Sequence, residues 1–162
     1  MAPGASDTEL GLARDLNRML RRSGATVAVA EGSSGGRIGE LLVRYAGATA
    51  YFKGSVVTYD YRSRTALLGI PQSLLKRHGS VSEETVIAMA EAVRTKFRAD
   101  IGIASTGVAG PTGNNVGELW VALASAAKSE AEHYVVTQRS RIAMQREFTR
   151  LALQMLHARV PS

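Results

Sequence analysis

The sequence contains no cysteine. That absence excludes disulfides, thiolate nucleophiles and cysteine-built metal centres, and it fits a reducing, cytoplasmic compartment. The three histidines, His78, His133 and His157, are too widely spaced to form a metal-ligand pattern. No apolar run approaches the ~18 residues of a membrane span. The opening segment MAPGASDTEL lacks the basic flank and apolar core of a secretory leader. The expectation is a cytoplasmic protein with no metal, no cofactor and no membrane association. Aromatic residues make up only 6% of the chain, and the basic residues are spread along its length. Few base-stacking platforms and no basic stripe predict no nucleic-acid partner.

What the chain does contain suits a globular domain. Of its 162 residues 45% are hydrophobic and 21% charged, enough apolar chain for one sizeable core. The formal net charge is +6, and sixteen of the twenty basic residues are arginine. Arginine heads can simply clothe a solvated surface. They can also hold anions, phosphate above all.

Residues 1–7 read as a flexible tail and residues 8–160 as a single domain. Ser6 or Asp7 is placed to cap a helix over 8–22 that carries Leu12, Leu16, Met19 and Leu20 on one face and stops at Gly24. TVAVAE (26–31) reads as a buried strand, and a glycine loop, GSSGG (32–36), feeds the helix RIGELLVRYA. SVVTYDY (55–61) reads as a strand. A helical stretch follows to Gly69, and a short helix opens at Pro71. Ser82 caps a helix over 83–98. IGIAS (101–105) is a buried strand, followed by a second glycine-rich loop, TGVAGPTGNNVG (106–117). Strands are expected over 118–126 and 133–138, and a last helix runs from Ser140 to about Ala158. Helices and strands alternate throughout. The final two strands are joined too tightly for a crossover. The pattern predicts a layered α/β domain whose mixed β-sheet is flanked by helices.

Both glycine loops follow buried strands, where open α/β sheets bind ligands. Gly32, Gly35 and Gly36 permit close approach, Ser33 and Ser34 offer hydroxyls, and a following helix would present its N–H groups to phosphate. The loop lacks the lysine of a P-loop and the spacing of a dinucleotide fingerprint. A plain turn is the competing reading.

Several segments in order resemble the C-terminal domain family of the competence- and damage-inducible protein CinA, from about Leu10 to Leu156. The family's A-E-S-C-T-G-G reads Ala30-Glu31-Gly32-Ser33-Ser34-Gly35-Gly36. A-G-S-S-x-x-F followed by G-x-V-x-Y-x-x-x-x-K appears as AGATAYFKGSVVTYDYRSR (46–64). L-G-x-x-x-x-x-L-x-x-H-G-x-V-S appears as LGIPQSLLKRHGSVS (68–82). S-x-S/T-G-x-A-G-P appears as ASTGVAGP (104–111), with VGELW at 116–120. G-D-R-x-x-x-R is degraded to RSRIAMQR, aligning Arg141 and Arg146.

The resemblance implies a nicotinamide mononucleotide amidohydrolase, which releases ammonia and nicotinic acid mononucleotide. It implies a Ser/Lys pair and no metal, and a homo-oligomer, dimer or larger. The second serine of A-G-S-S aligns with Thr49 and the lysine with Arg64. Tyr59 and Thr106 complete the aligned catalytic set. Glu31, the loop Gly32, Ser33, Ser34, Gly35 and Gly36, then Gly107, Ala109 and Gly110, and finally Arg141 and Arg146 form the expected substrate-binding set. Glu31 either orients a ribose hydroxyl or accepts backbone N–H bonds, and Tyr59 beside Arg64 is a candidate base. Arginine stays protonated and cannot take a nucleophile's proton as lysine does. The alternative is therefore a catalytically silent homologue that binds a pyridine nucleotide or another phosphorylated ligand.

Overall fold

The structure, a computed structural model, describes residues 8–161. The proposed tail over 1–7 and the caps Ser6 and Asp7 lie outside the described residues. Thr8 is the observed cap of α1 (Glu9–Ser23), its hydroxyl accepting from Gly11 N at 3.1 Å. The order continues β1 (Val27–Glu31), α2 (Arg37–Val43), a 3-10 turn (Ala48–Ala50), β2 (Phe52–Val57), α3 (Tyr61–Leu68) and α4 (Gln72–His78). α5 (Glu83–Phe97), β3 (Ile101–Gly107), β4 (Glu118–Ala124), β5 (Ser129–Val135) and α6 (Arg141–Arg159) complete it.

The five strands form one mixed sheet in the order β2-β1-β3-β4-β5. β1 pairs parallel with β2 and β3, and the β3–β4 and β4–β5 pairs are antiparallel. Strand side chains alternate between two faces. Val27, Val29, Ile103, Leu119, Val121 and Leu123 meet α1, α2 and α6 through Leu16, Leu42 and Phe148. Ala28, Ala30, Ala104, Ala122 and Ala124 meet α5 through Val86, Met89 and Val93. The alanine face lets α5 lie close. At Gly102 an added Cβ would stand 2.1 Å from the Ala90 carbonyl oxygen. Trp120, the only tryptophan, is the register partner of Thr106 and stacks on His133 with ring centroids 4.4 Å apart. No described helix is long and apolar enough to cross a membrane.

Several boundaries differ from the sequence expectation: α2 stops at Val43 and β4 at Ala124, short of the ends expected, and three others shift further. The strand expected over 55–61 runs over Phe52–Val57 instead. Asp60 accepts from Arg62 N at 2.6 Å and starts α3, which removes Tyr61 from the sheet. The strand expected over 133–138 runs over Ser129–Val135, because a turn from Ser125 to Lys128 folds the chain straight back on β4. That strand is polar, so cross-strand pairing defines it where hydrophobicity does not. Thr106 and Gly107, expected in the loop, belong to β3 and pair with Trp120 and Leu119.

Candidate functional site

β1, β2 and β3 are parallel, so the loops that follow them emerge at one end of the sheet. They enclose, with the α4–α5 loop and the start of α6, a cavity of about 280 Å³. Its lining includes Ser33, Tyr59, Arg64, Ser80, the strand end and loop from Thr106 to Gly110, and Arg141. Among the described residues the titratable groups in that lining are Tyr59, Arg64 and Arg141, with no carboxylate, histidine or lysine.

Arg64 forms the floor and is 3% exposed. Its Nε donates to Thr58 O at 3.2 Å, one terminal nitrogen to Ser80 O, and the other to Thr106 Oγ1 at 3.0 Å. Burial pushes its pKa down to about 10, with no carboxylate nearby to offset it. The guanidinium therefore remains a cation at neutral pH. Thr106 Oγ1 donates in turn to Ser80 O at 2.7 Å. Its single proton is thus directed at a carbonyl, and no base touches it.

The mouth is built differently. Arg141, at the first turn of α6, donates to Gly110 O at 2.5 Å and to Tyr59 Oη at 2.9 Å. This clasp joins the loop after β2 to the loop after β3. Tyr59 is 62% exposed and is held by Arg141, so the expected pairing of Tyr59 with Arg64 is not formed.

The Thr49/Arg64 pairing does not form either. Thr49 is an exposed residue of the 3-10 turn that precedes β2, whereas Arg64 is bonded to Thr58, which follows β2. A six-residue strand separates the two ends by about 20 Å. The position that does face Arg64 is Gly32, where an added Cβ would lie 3.1 Å from Nη2. Gly32 is the position at which the motif A-E-S-C-T-G-G carries its serine.

Within the glycine loop only Ser33 lines the cavity, and its hydroxyl has no protein partner among the described residues. Ser34 turns inward, donating to Glu31 Oε2 at 2.7 Å. Glu31 is fully buried and accepts from the backbone N–H groups of Gly36, Ile38 and Gly39 at 2.8–3.1 Å. It also accepts from Ser55 Oγ at 3.1 Å. Of its two expected roles, it is the backbone acceptor: it caps α2 and fixes the loop. Gly35 and Gly36 take positive φ values of 65° and 101° to make the turn. Gly107, Ala109 and Gly110 line the cavity. Arg146 is exposed and off the cavity. Its neighbour Gln145 reaches in instead, donating to Ser33 O at 2.9 Å. The sequence did hold a signal for Gln145, since the R-x-x-x-R spacing from Arg141 ends on it. Ser80 gave none, because it acts through its backbone carbonyl. Among the described residues no three His, Asp or Glu side chains converge as a metal ion would require.

Comparison with known proteins gives a consistent match. A family model described as the CinA C-terminal domain matches residues 9–160. A CinA-like protein of Desulfosudis oleivorans is 37% identical over 159 residues, 96% of this chain and 38% of that protein. One from Gloeobacter violaceus is 40% identical over 147 residues, 88% of this chain and 34% of that protein. The chain thus spans little more than a third of the length of these curated relatives. Among solved structures, the competence/damage inducible protein from Agrobacterium tumefaciens is 29% identical with a TM-score of 0.89, covering 98% of each chain. A CinA superfamily protein from Klebsiella pneumoniae is 27% identical with a TM-score of 0.90, covering 94% of this chain and 98% of that one.

Proposed function

The chain belongs to the CinA C-terminal domain family, and from that premise we propose that it is a nucleotide-binding member lacking the family's hydrolytic pair. Its ligand is a phosphorylated pyridine nucleotide of the nicotinamide mononucleotide type, held in the cavity between Arg64 and Arg141. One observation carries the reading. Arg64 stands where the motif has its lysine, and the residue that faces it, Gly32, stands where A-E-S-C-T-G-G has a serine: a residue without a hydroxyl faces a cation that is not a base. Thr49 supplies no substitute from the far end of β2, and Thr106 has no base.

The test is direct. Purified protein takes up nicotinamide mononucleotide in a calorimetric titration and releases no ammonia from it. The double variant Gly32→Ser, Arg64→Lys gains ammonia release. Hydrolysis by the unmodified chain would sink the reading, as would absence of nucleotide binding. A hydrolytic reading keeps one observation in its favour, the unpartnered Ser33 hydroxyl on the cavity wall. It requires ammonia release that Ser33→Ala abolishes. The homo-oligomer that family membership implies belongs to the same proposal, and light scattering measures it.

A further inference from the structure

We propose that the cavity selects a ligand with two anionic ends, a carboxylate on Arg64 at the floor and a phosphate beside Arg141 at the mouth. The carboxylate form of a pyridine mononucleotide is then its ligand in preference to the amide. This inference rests on the nucleotide-binding reading above and gives its site a substrate class.

The floor is a buried cation without a counter-ion. Arg64 takes part in no ion pair among the described residues, and no acidic side chain lines the cavity. A guanidinium has five N–H groups, and three of those on Arg64 are satisfied, by Thr58 O, Ser80 O and Thr106 Oγ1. One N–H remains on each terminal nitrogen. Ser80 O and Thr106 Oγ1 lie 2.7 Å apart and already fill the fork between the two terminal nitrogens, so the two remaining N–H groups point apart. A carboxylate oxygen can take the N–H at the Nη2 edge, and its charge answers that of the guanidinium. Glycine at 32 leaves that edge uncovered, since even a Cβ there would lie 3.1 Å from Nη2. A primary amide matches less well. Its oxygen can accept the same N–H, but it brings no charge to balance the buried guanidinium.

The mouth differs in kind. Arg141 uses two of its five N–H groups, on Gly110 O and Tyr59 Oη, and it too has no acidic partner among the described residues. Its other donors and the free Ser33 hydroxyl suit a group with several oxygens that keeps part of its hydration. Phosphate is such a group. The two cations divide the work by burial: Arg64 is enclosed, whereas Arg141 shares the rim with the exposed Tyr59.

The experiment is calorimetric titration of the full chain at pH 7.5 with nicotinic acid mononucleotide and, separately, with nicotinamide mononucleotide. The acid is expected to bind about tenfold tighter or more, because only the carboxylate supplies the counter-charge that the buried guanidinium lacks. Arg64→Met erases the preference. Gly32→Ala keeps the charge, covers the edge of the guanidinium and weakens acid binding selectively; it carries the test if Arg64→Met does not fold. Equal affinities, or tighter amide binding, overturn this inference and leave the nucleotide-binding reading standing. Failure of both nucleotides to bind overturns that reading and the inference together.

Discussion

In the proposed binding role, one buried side chain, Arg64, sets both the affinity and its pH limit. Its folded-state pKa, about 10, lies below the ordinary guanidinium value because burial disfavours the charge. The charge is complete at neutral pH and is lost as pH rises through about 10. Affinity for an anionic ligand is accordingly expected to stay flat from pH 7.5 to 9 and to fall above about 10. Arg64→Met should bind weakly and show no such fall. Ligand-free stability moves the opposite way. The folded state surrenders this proton before the unfolded state does, so the cost of burying the charge is relieved as pH rises past about 10 toward the ordinary guanidinium range. Titrations at stepped pH check the first statement, and an affinity that persists unchanged at pH 10.5 would contradict it. The residue types at this site were legible in the sequence, but their partners were not. Thr49 and Arg64 align with a pair of motif residues, yet the strand between them carries them to opposite ends of the sheet. Gly32, Thr106 and Ser80 reach Arg64 only through the pairing of β1 with β3 and the return of the α4–α5 loop.

At the scale of elements, the sheet is asymmetric by design of its side chains. Large β-branched and leucine residues face α1, α2 and α6, and alanine and glycine face α5. The consequence falls on Gly102, whose added Cβ would meet Ala90 O at 2.1 Å and Arg94 Cβ at 2.7 Å. α5 must retreat to accept even a methyl group. Gly102→Ala is expected to cost about 3 kcal/mol, at the upper end of overpacking changes. Gly24→Ala has open space around its Cβ and costs less, through its positive φ alone. Chemical denaturation compares them, and equal stabilities would refute the close packing of α5. The glycine and alanine of IGIAS and VALA were readable as small residues in strands. Which face they occupied, and that a helix backbone lay against them, followed only from register. β5 was harder still. Its alternation of Ser, Glu, Ala, Glu and His carries no core signature, and it exists because β4 offers a free edge one tight turn away. The helices were the most legible part, since Ser82 and Ser140 cap α5 and α6 as their sequences indicate.

For the molecule as a whole, the net charge of +6 gains a location. Two of its guanidinium groups share one cavity with no acid between them, while many others on the surface are paired, as Arg159 is with Glu130 and Glu132. On the proposed reading, an anionic solute is attracted broadly and retained in one place. The same architecture supplies a signal. Thr106, which holds Arg64, lies directly opposite Trp120 on β4, with both side chains on the α5 face of the sheet. The chain has no other tryptophan, so its indole emission comes from one strand neighbour of the binding floor. Occupancy of Arg64 by an anion should change that emission without any label, and Thr106→Val should blunt the change. An emission spectrum insensitive to a ligand whose binding calorimetry detects would show that the floor and the strand beside it respond separately. With a responsive spectrum, the protein can be titrated by its own light at concentrations far below those calorimetry needs.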